Sequence, residues 1–319
     1  MTAPSRRRQA AWLVLAGAVL WGTTGTAQAL GPASASPLAV GTTRLVAGGL
    51  WLIIWAIVVT RRASVAGRHR PLADALRDRS MMIAAGIGAV AFAGYQLSFF
   101  AAVDTAGVAL GTAVAIGSAP VFTGLVEWAL NRQAPAIRWW LATAVATGGA
   151  VVLAGPSRLV LRGVVLALLA GASYAAYALA SKRLLDGGLR GPVAMAVVFS
   201  GGGALLAPVL LGVNLGWITS VRGLIMVAWL SVATILLAYL LFAAGLKGLP
   251  ASTVATLSLA EPLTAAALGI TVLGERPTPL DLAGATLILL GLVVLVVPGA
   301  RRGPRQLAGP SAPDRRRGH

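Results

Sequence analysis

Phe100-Ala101-Ala102 returns as Phe242-Ala243-Ala244, 142 positions later, inside a stretch where residues 95–156 read again at 237–298. Under the same shift Pro120 falls on Pro262, Pro135 on Pro277 and Gly149 on Gly291, while Val151-Val152-Leu153 falls on Val293-Val294-Leu295 and Pro156 on Pro298. Both copies consist of apolar runs long enough to cross a bilayer. A duplicated block of hydrophobic helices is the sequence mark of a secondary transporter, whose binding site lies between the repeats near the bilayer midplane.

Composition agrees with a life in lipid. The chain has 319 residues, of which 57% are hydrophobic and 11% charged, and its mean hydropathy is +0.83. That leaves too little polar surface to coat a water-soluble globule. With roughly 20 apolar residues per span, about ten spans fit, with short loops between them. Cysteine is absent, which excludes disulfides and thiol chemistry. The net charge of +17 does not point to nucleic acid, because 15 of the 26 Lys and Arg lie in Arg6–Arg8, in the loop Arg61–Arg79 and in the tail after Arg301.

The predicted spans cover 10–30, 38–60, 81–103, 106–130, 138–155, 160–181, 191–213, 223–246, 250–273 and 281–298. Ten spans put both ends on one side. Assigning that side to the cytoplasm places 21 Lys and Arg inside and 4 outside, with Arg44 within a span. The asymmetry fits cytoplasmic termini. Arg6-Arg7-Arg8 before an apolar run has the look of an export signal, but the run continues through Trp21 to Leu30 without a clear small-residue cleavage site and is read as the first span. A weaker match, Leu15-Ala16-Gly17-Ala18 to Leu169-Ala170-Gly171-Ala172, brings the first helices into the duplication. Each repeat then holds five helices, and an odd number inverts the second copy. The expected organisation is a cytoplasmic segment 1–9, a first repeat 10–156, a second repeat 157–299 and a disordered basic cytoplasmic tail 300–319.

Glu261 stands out chemically. About eleven residues into its helix it reaches roughly 16 Å of depth, near the midplane. A carboxylate there faces a wet cavity, pairs with a cation or holds a proton. Pro262 follows, and a helix bend is expected because proline lacks the N–H and displaces the carbonyl of Ser258. Pro120 predicts a second bend in the fourth helix. The alternative for Glu261 is a hydrogen bond to a neighbouring helix beside the kink. Arg44, roughly 9 Å into its span, reads either as an anion-attracting or Glu-pairing group on the pathway, or as a side chain snorkelling to the outer head groups or held in a fixed structural ion pair. Trp21, Tyr95, Gln96, Tyr174, Tyr177 and Tyr239 either line a cavity or serve as packing and interface anchors. Glu127 and Asp104, near predicted helix ends, read as interfacial residues. Gly107 and Gly111 form a GxxxG read as close helix packing, with homodimerisation left open, and Gly86-x-Gly88 is also read as packing.

Other classes lack their signatures. No GxxxxGK[ST] run exists for an ATP-driven pump. The two histidines, His69 and His319, lie in hydrophilic segments, so no catalytic residue, metal site or cofactor site is expected within the spans.

Several short pieces in this order and spacing resemble the drug/metabolite transporter superfamily, specifically its EamA-type ten-helix members. They are Trp21-Gly22, Arg44, Tyr95-Gln96 followed by Phe99-Phe100-Ala101-Ala102, Ser118-Ala119-Pro120, Leu259-Ala260-Glu261-Pro262, Leu273-Gly274-Glu275-Arg276 and Asp281-Leu282-Ala283-Gly284. Where the family's first repeat often has a Gly-Glu-Arg-like turn, this chain has Asn131-Arg132-Gln133. The resemblance implies an inner-membrane carrier, usually an exporter of small metabolites, amino acids or drug-like compounds.

The expected protein is therefore an all-α polytopic membrane protein of ten transmembrane helices in two inverted five-helix repeats. It takes a small-molecule substrate, contacts membrane lipid and binds no nucleic acid. It works by alternating access in a bacterial plasma membrane and is not an enzyme. An intramembrane enzyme acting on a lipid or peptide, and a channel, are the rival readings.

Overall fold

The computed structural model describes residues 3–63, 71–155 and 160–297. The expected tail over 300–319, and with it His69, His319, Pro156 and Pro298, lies outside the described residues. Among those described there is no strand. Ten apolar helices follow one another: α1 (Ala3–Ala29), α2 (Pro37–Ala63), α3 (Arg79–Ala106), α4 (Val108–Asn131), α5 (Ile137–Leu153) and α6 (Leu161–Asp186), then α7 (Gly191–Leu211), α8 (Val221–Gly248), α9 (Ala251–Thr271) and α10 (Pro279–Val296). Nine of these, among the described residues, are long and apolar enough to cross a membrane. The tenth, α5, spans about 26 Å at 1.5 Å per residue, close to the roughly 30 Å of a hydrocarbon core.

The helices bury one apolar face in a common core and leave the other exposed. On α2, Leu50, Trp51, Ile53, Ile54, Trp55 and Ile57 are each 40–57% exposed. A face of that extent suits lipid and not water. Inside the bundle, hydroxyls return their protons to their own helix: Ser98 to the Gly94 carbonyl at 2.6 Å, Thr123 to Ala119 at 2.7 Å and Thr234 to Leu230 at 2.6 Å. These polar groups are thereby satisfied without water.

The main helix pairs share one pattern. α3 lies along α6 and α8 along α1; α4 meets α6 and α9 meets α1; α2 packs on α7, α4 on α9 and α5 on α10. Exchanging each of the first five helices with the helix five places later leaves this set of neighbours unchanged.

Departures from the sequence reading are local. The loop after α2 contains a short helix, Leu72–Arg77, whose existence the loop reading did not foresee. α7 carries a π turn over Ala196–Ser200 and α8 one over Leu230–Leu237. The GxxxG pair is split: Gly107 sits outside the helix at φ 85° as the link between α3 and α4, and only Gly111 packs, against the backbone of Ala102 and Val103. Of Gly86 and Gly88, only Gly88 faces neighbours, on α6 and α7, while a Cβ on Gly86 would meet open space.

Candidate functional site

The site begins with a broken helix. α9 runs as Ala251–Leu257 and then Ala260–Thr271, with Ser258 and Leu259 between the pieces. Pro262 has no N–H for the Ser258 carbonyl; that carbonyl instead accepts the Glu261 N–H at 2.9 Å, one residue early, which tightens and ends the first piece. The break expected from Pro262 is present. At Pro120 helix α4 continues without interruption.

Glu261 thus lies in the first turn of the second piece of α9. There its carboxylate meets the positive end of a helix dipole inside the bundle. Among the described residues no hydrogen bond or ion pair engages that side chain; Arg44 is the cation that acts on it through space. Glu261 borders a cavity of about 410 Å³, together with Trp21 and Thr24 of α1, Thr112 and Ile116 of α4, Ala150 and Leu153 of α5, and the loop residues Glu275, Arg276 and Pro277. The cavity therefore reaches from Glu261 to the bundle end opposite the start of α1 and the end of α10. Gly22 makes the wall close: a Cβ there would lie 2.7 Å from the Glu261 carbonyl oxygen, so α1 and α9 touch backbone to backbone beside the break.

The aromatic candidates gather behind this point. Trp21 and Tyr239 rings lie 5.0 Å apart, Tyr239 and Phe199 3.7 Å, Phe199 and Phe92 4.2 Å, Tyr95 and Tyr177 5.9 Å, and Tyr174 and Tyr177 4.8 Å. Trp21 borders the cavity, whereas Tyr177 is 1% exposed and packed among rings. Two of the polar tips hold backbone irregularities in place. The Trp21 indole donates to the Thr234 carbonyl at 3.0 Å, within the π turn of α8, and the Tyr174 hydroxyl lies 3.1 Å from the Ser258 hydroxyl at the break in α9. Arg44 turns toward α1, its Nη1 donating to the Thr24 hydroxyl at 3.4 Å, and its buried Nε finds no partner. The Gln96 side-chain nitrogen is likewise buried without a partner.

One residue escaped the sequence reading. Glu127, read there as interfacial, reaches from α4 to the start of α9 and accepts three hydrogen bonds from Ala251 and Ser252. The signal in the sequence, a carboxylate near a helix end, does not say whose helix end it meets. Among the described residues no cluster of His, Cys, Asp or Glu has the makings of a metal site.

Comparison with known proteins places this arrangement. The chain is 42% identical over 286 residues, 88% of its length and 92% of the relative's, to the uncharacterized transporter YwfM of Bacillus subtilis strain 168. A solved crystal structure, 21% identical, superposes with a TM-score of 0.71 over 89% of this chain and 95% of that one, which shows the shared fold. The EamA-like transporter family matches twice in succession, over residues 8–155 and 161–297. The chain is therefore a polytopic all-α membrane protein that belongs to the EamA-like transporter family, within the drug/metabolite transporter superfamily.

Proposed function

We propose that the protein is a secondary active exporter of small metabolites, amino acids or drug-like compounds, built from two inverted five-helix repeats and working by alternating access. The carrying observation is the cavity that reaches Glu261 at the break of α9 and, among the described residues, is lined at its mouth by the loop Glu275–Pro277 at one end of the bundle. At the other end α4 and α9 are drawn together through Glu127. A cavity on one side of Glu261 with α4 and α9 joined on the other supports a carrier over a channel, and the exchange symmetry of the main helix pairs supports two similar halves that rock against each other. The spans hold no histidine, which weighs against an intramembrane enzyme.

In this reading Glu261 couples substrate to a proton, Arg44, Gln96, Tyr95, Tyr174 and Tyr239 stand along the substrate path with Tyr177 packed behind them, and the charge asymmetry supports both termini in the cytoplasm of a bacterial cell. The cavity then faces outward. A comparison of metabolites inside and outside cells with and without the protein, followed by flux of the differing compound in proteoliposomes, tests the proposal. Saturable flux of such a compound is expected; no flux of any compound that differs would overturn it.

A further inference from the structure

The start of α9 is held by another helix. Glu127 Oε1 accepts the Ala251 N–H at 2.9 Å, and Oε2 accepts the Ser252 N–H at 3.1 Å and the Ser252 hydroxyl at 2.5 Å. The first N–H groups of a helix have no partner within it, and Pro250, which precedes α9, provides no side-chain cap. A carboxylate there forms charge-assisted hydrogen bonds and meets the positive end of the helix dipole. The two helices joined in this way are the two that part at their other ends to form the cavity, through Thr112 and Ile116 on α4 and Glu261 on α9.

The duplication shows what the matching place at the open end looks like. Shifted by 142 residues, the pair made of Glu127 and the start of α9 falls on Gly269 and the first turn of α4. Gly107, which precedes that turn, has no side chain to cap it, and among the described residues no side chain of another helix is bonded to the turn. Position 269 has no side chain of its own, yet a carboxylate occupies its place: a Cβ on Gly269 would collide with Oε2 of Glu275. Glu275 also borders the cavity mouth. So the closed end has the carboxylate on its helix start, and the open end has a carboxylate and an uncapped helix start that are not joined.

We propose that Glu127 is a releasable latch that keeps the end of the cavity near the chain termini shut, and that Glu275 latches the start of α4 in the same way when the opposite end closes. The inference rests on the alternating-access reading. Each turnover exchanges one carboxylate clamp for the other, so neither helix start is left uncapped in both states.

Two cysteine reporters on this cysteine-free chain test it. Ala255→Cys lies in the first piece of α9, buried at 2% exposure, and Ala266→Cys lines the cavity. Each is read by its rate of alkylation in purified, reconstituted protein. Glu127→Gln removes the charge and weakens the clamp, so labelling at 255 rises and labelling at 266 falls, by about tenfold between them if one charge-assisted bond sets the balance. Glu275→Gln shifts the two rates the opposite way. Rates in Glu127→Gln equal to those of the parent, or a rise at both positions together, would overturn the latch, the second because it reports loosened packing. The alternating-access reading is judged separately in the parent: it fails if flux persists after the cysteine at 255 is fully alkylated.

Discussion

Gly149 and Gly284 meet backbone to backbone: a Cβ on Gly149 would lie 2.7 Å from the Gly284 carbonyl oxygen. Shifted by 142 residues the same contact recurs between Gly291 and the Ala142 carbonyl oxygen, again at 2.7 Å. One contact repeated with the partners exchanged is what a twofold relation between halves produces, and it joins α5 to α10 without intervening side chains. In a membrane, where lipid is as apolar as any side chain, close packing of this kind replaces the hydrophobic drive for association.

Gly149→Val and Gly291→Val each force a side chain into backbone, and each is expected to destabilise by about 1–3 kcal/mol. Gly86→Ala, which meets open space, is the control and should leave the thermal midpoint in detergent unchanged or slightly raised. Equal midpoints for all three would show that the α5–α10 contact is not tight.

Arg132 ends α4 in the left-handed region, at φ 55° and ψ 20°. Its counterpart 142 residues on is Gly274, at φ 72°. The arginine stands where the second half uses the residue without a Cβ. Arg132→Gly should relieve backbone strain of roughly 1–2 kcal/mol, less what the freer unfolded chain gives back. A thermal midpoint raised by a few degrees is expected; a lowered one would mean that the side chain makes contacts worth more than the strain.

The Tyr174 and Ser258 hydroxyls, 3.1 Å apart, tie α6 to the break in α9. Tyr174→Phe and Ser258→Ala are each expected to cost about 0.5–1.5 kcal/mol. The double substitution should cost clearly less than the two combined. Additive effects would mean that the hydroxyls do not interact.

Much of this was legible before the structure. The ten helices followed from apolar runs because a bilayer sets their length, and the break in α9 followed from Pro262, whose missing N–H acts locally. Placement of Trp21 beside the cavity was one of two readings, and the other, packing, describes Tyr177. What could not be read is tertiary in origin. The Glu127 clamp joins residues 124 positions apart, and the π turn over Leu230–Leu237 is matched by an indole from α1, so neither has a signature within its own segment. Gly107 looked like the first half of a packing motif because spacing alone does not reveal a positive φ.

The proposed orientation rests on the charge asymmetry. A membrane-impermeant thiol reagent added to intact cells should label Ala33→Cys, between α1 and α2, and leave Gln133→Cys, between α4 and α5, unlabelled. Labelling of position 133 alone would invert the topology and make the cavity inward-facing.

The most direct test of the account is accumulation of the identified substrate by Glu261→Gln in proteoliposomes with an imposed proton gradient. The substitution keeps the shape and part of the hydrogen bonding of the carboxylate but removes its titration. Uphill accumulation is expected to be lost while exchange of substrate across the membrane survives, and Glu261→Ala is expected to damage both. Accumulation by Glu261→Gln to the parent's level, with the parent's dependence on pH, would contradict it and leave Glu261 as a structural partner of the break in α9.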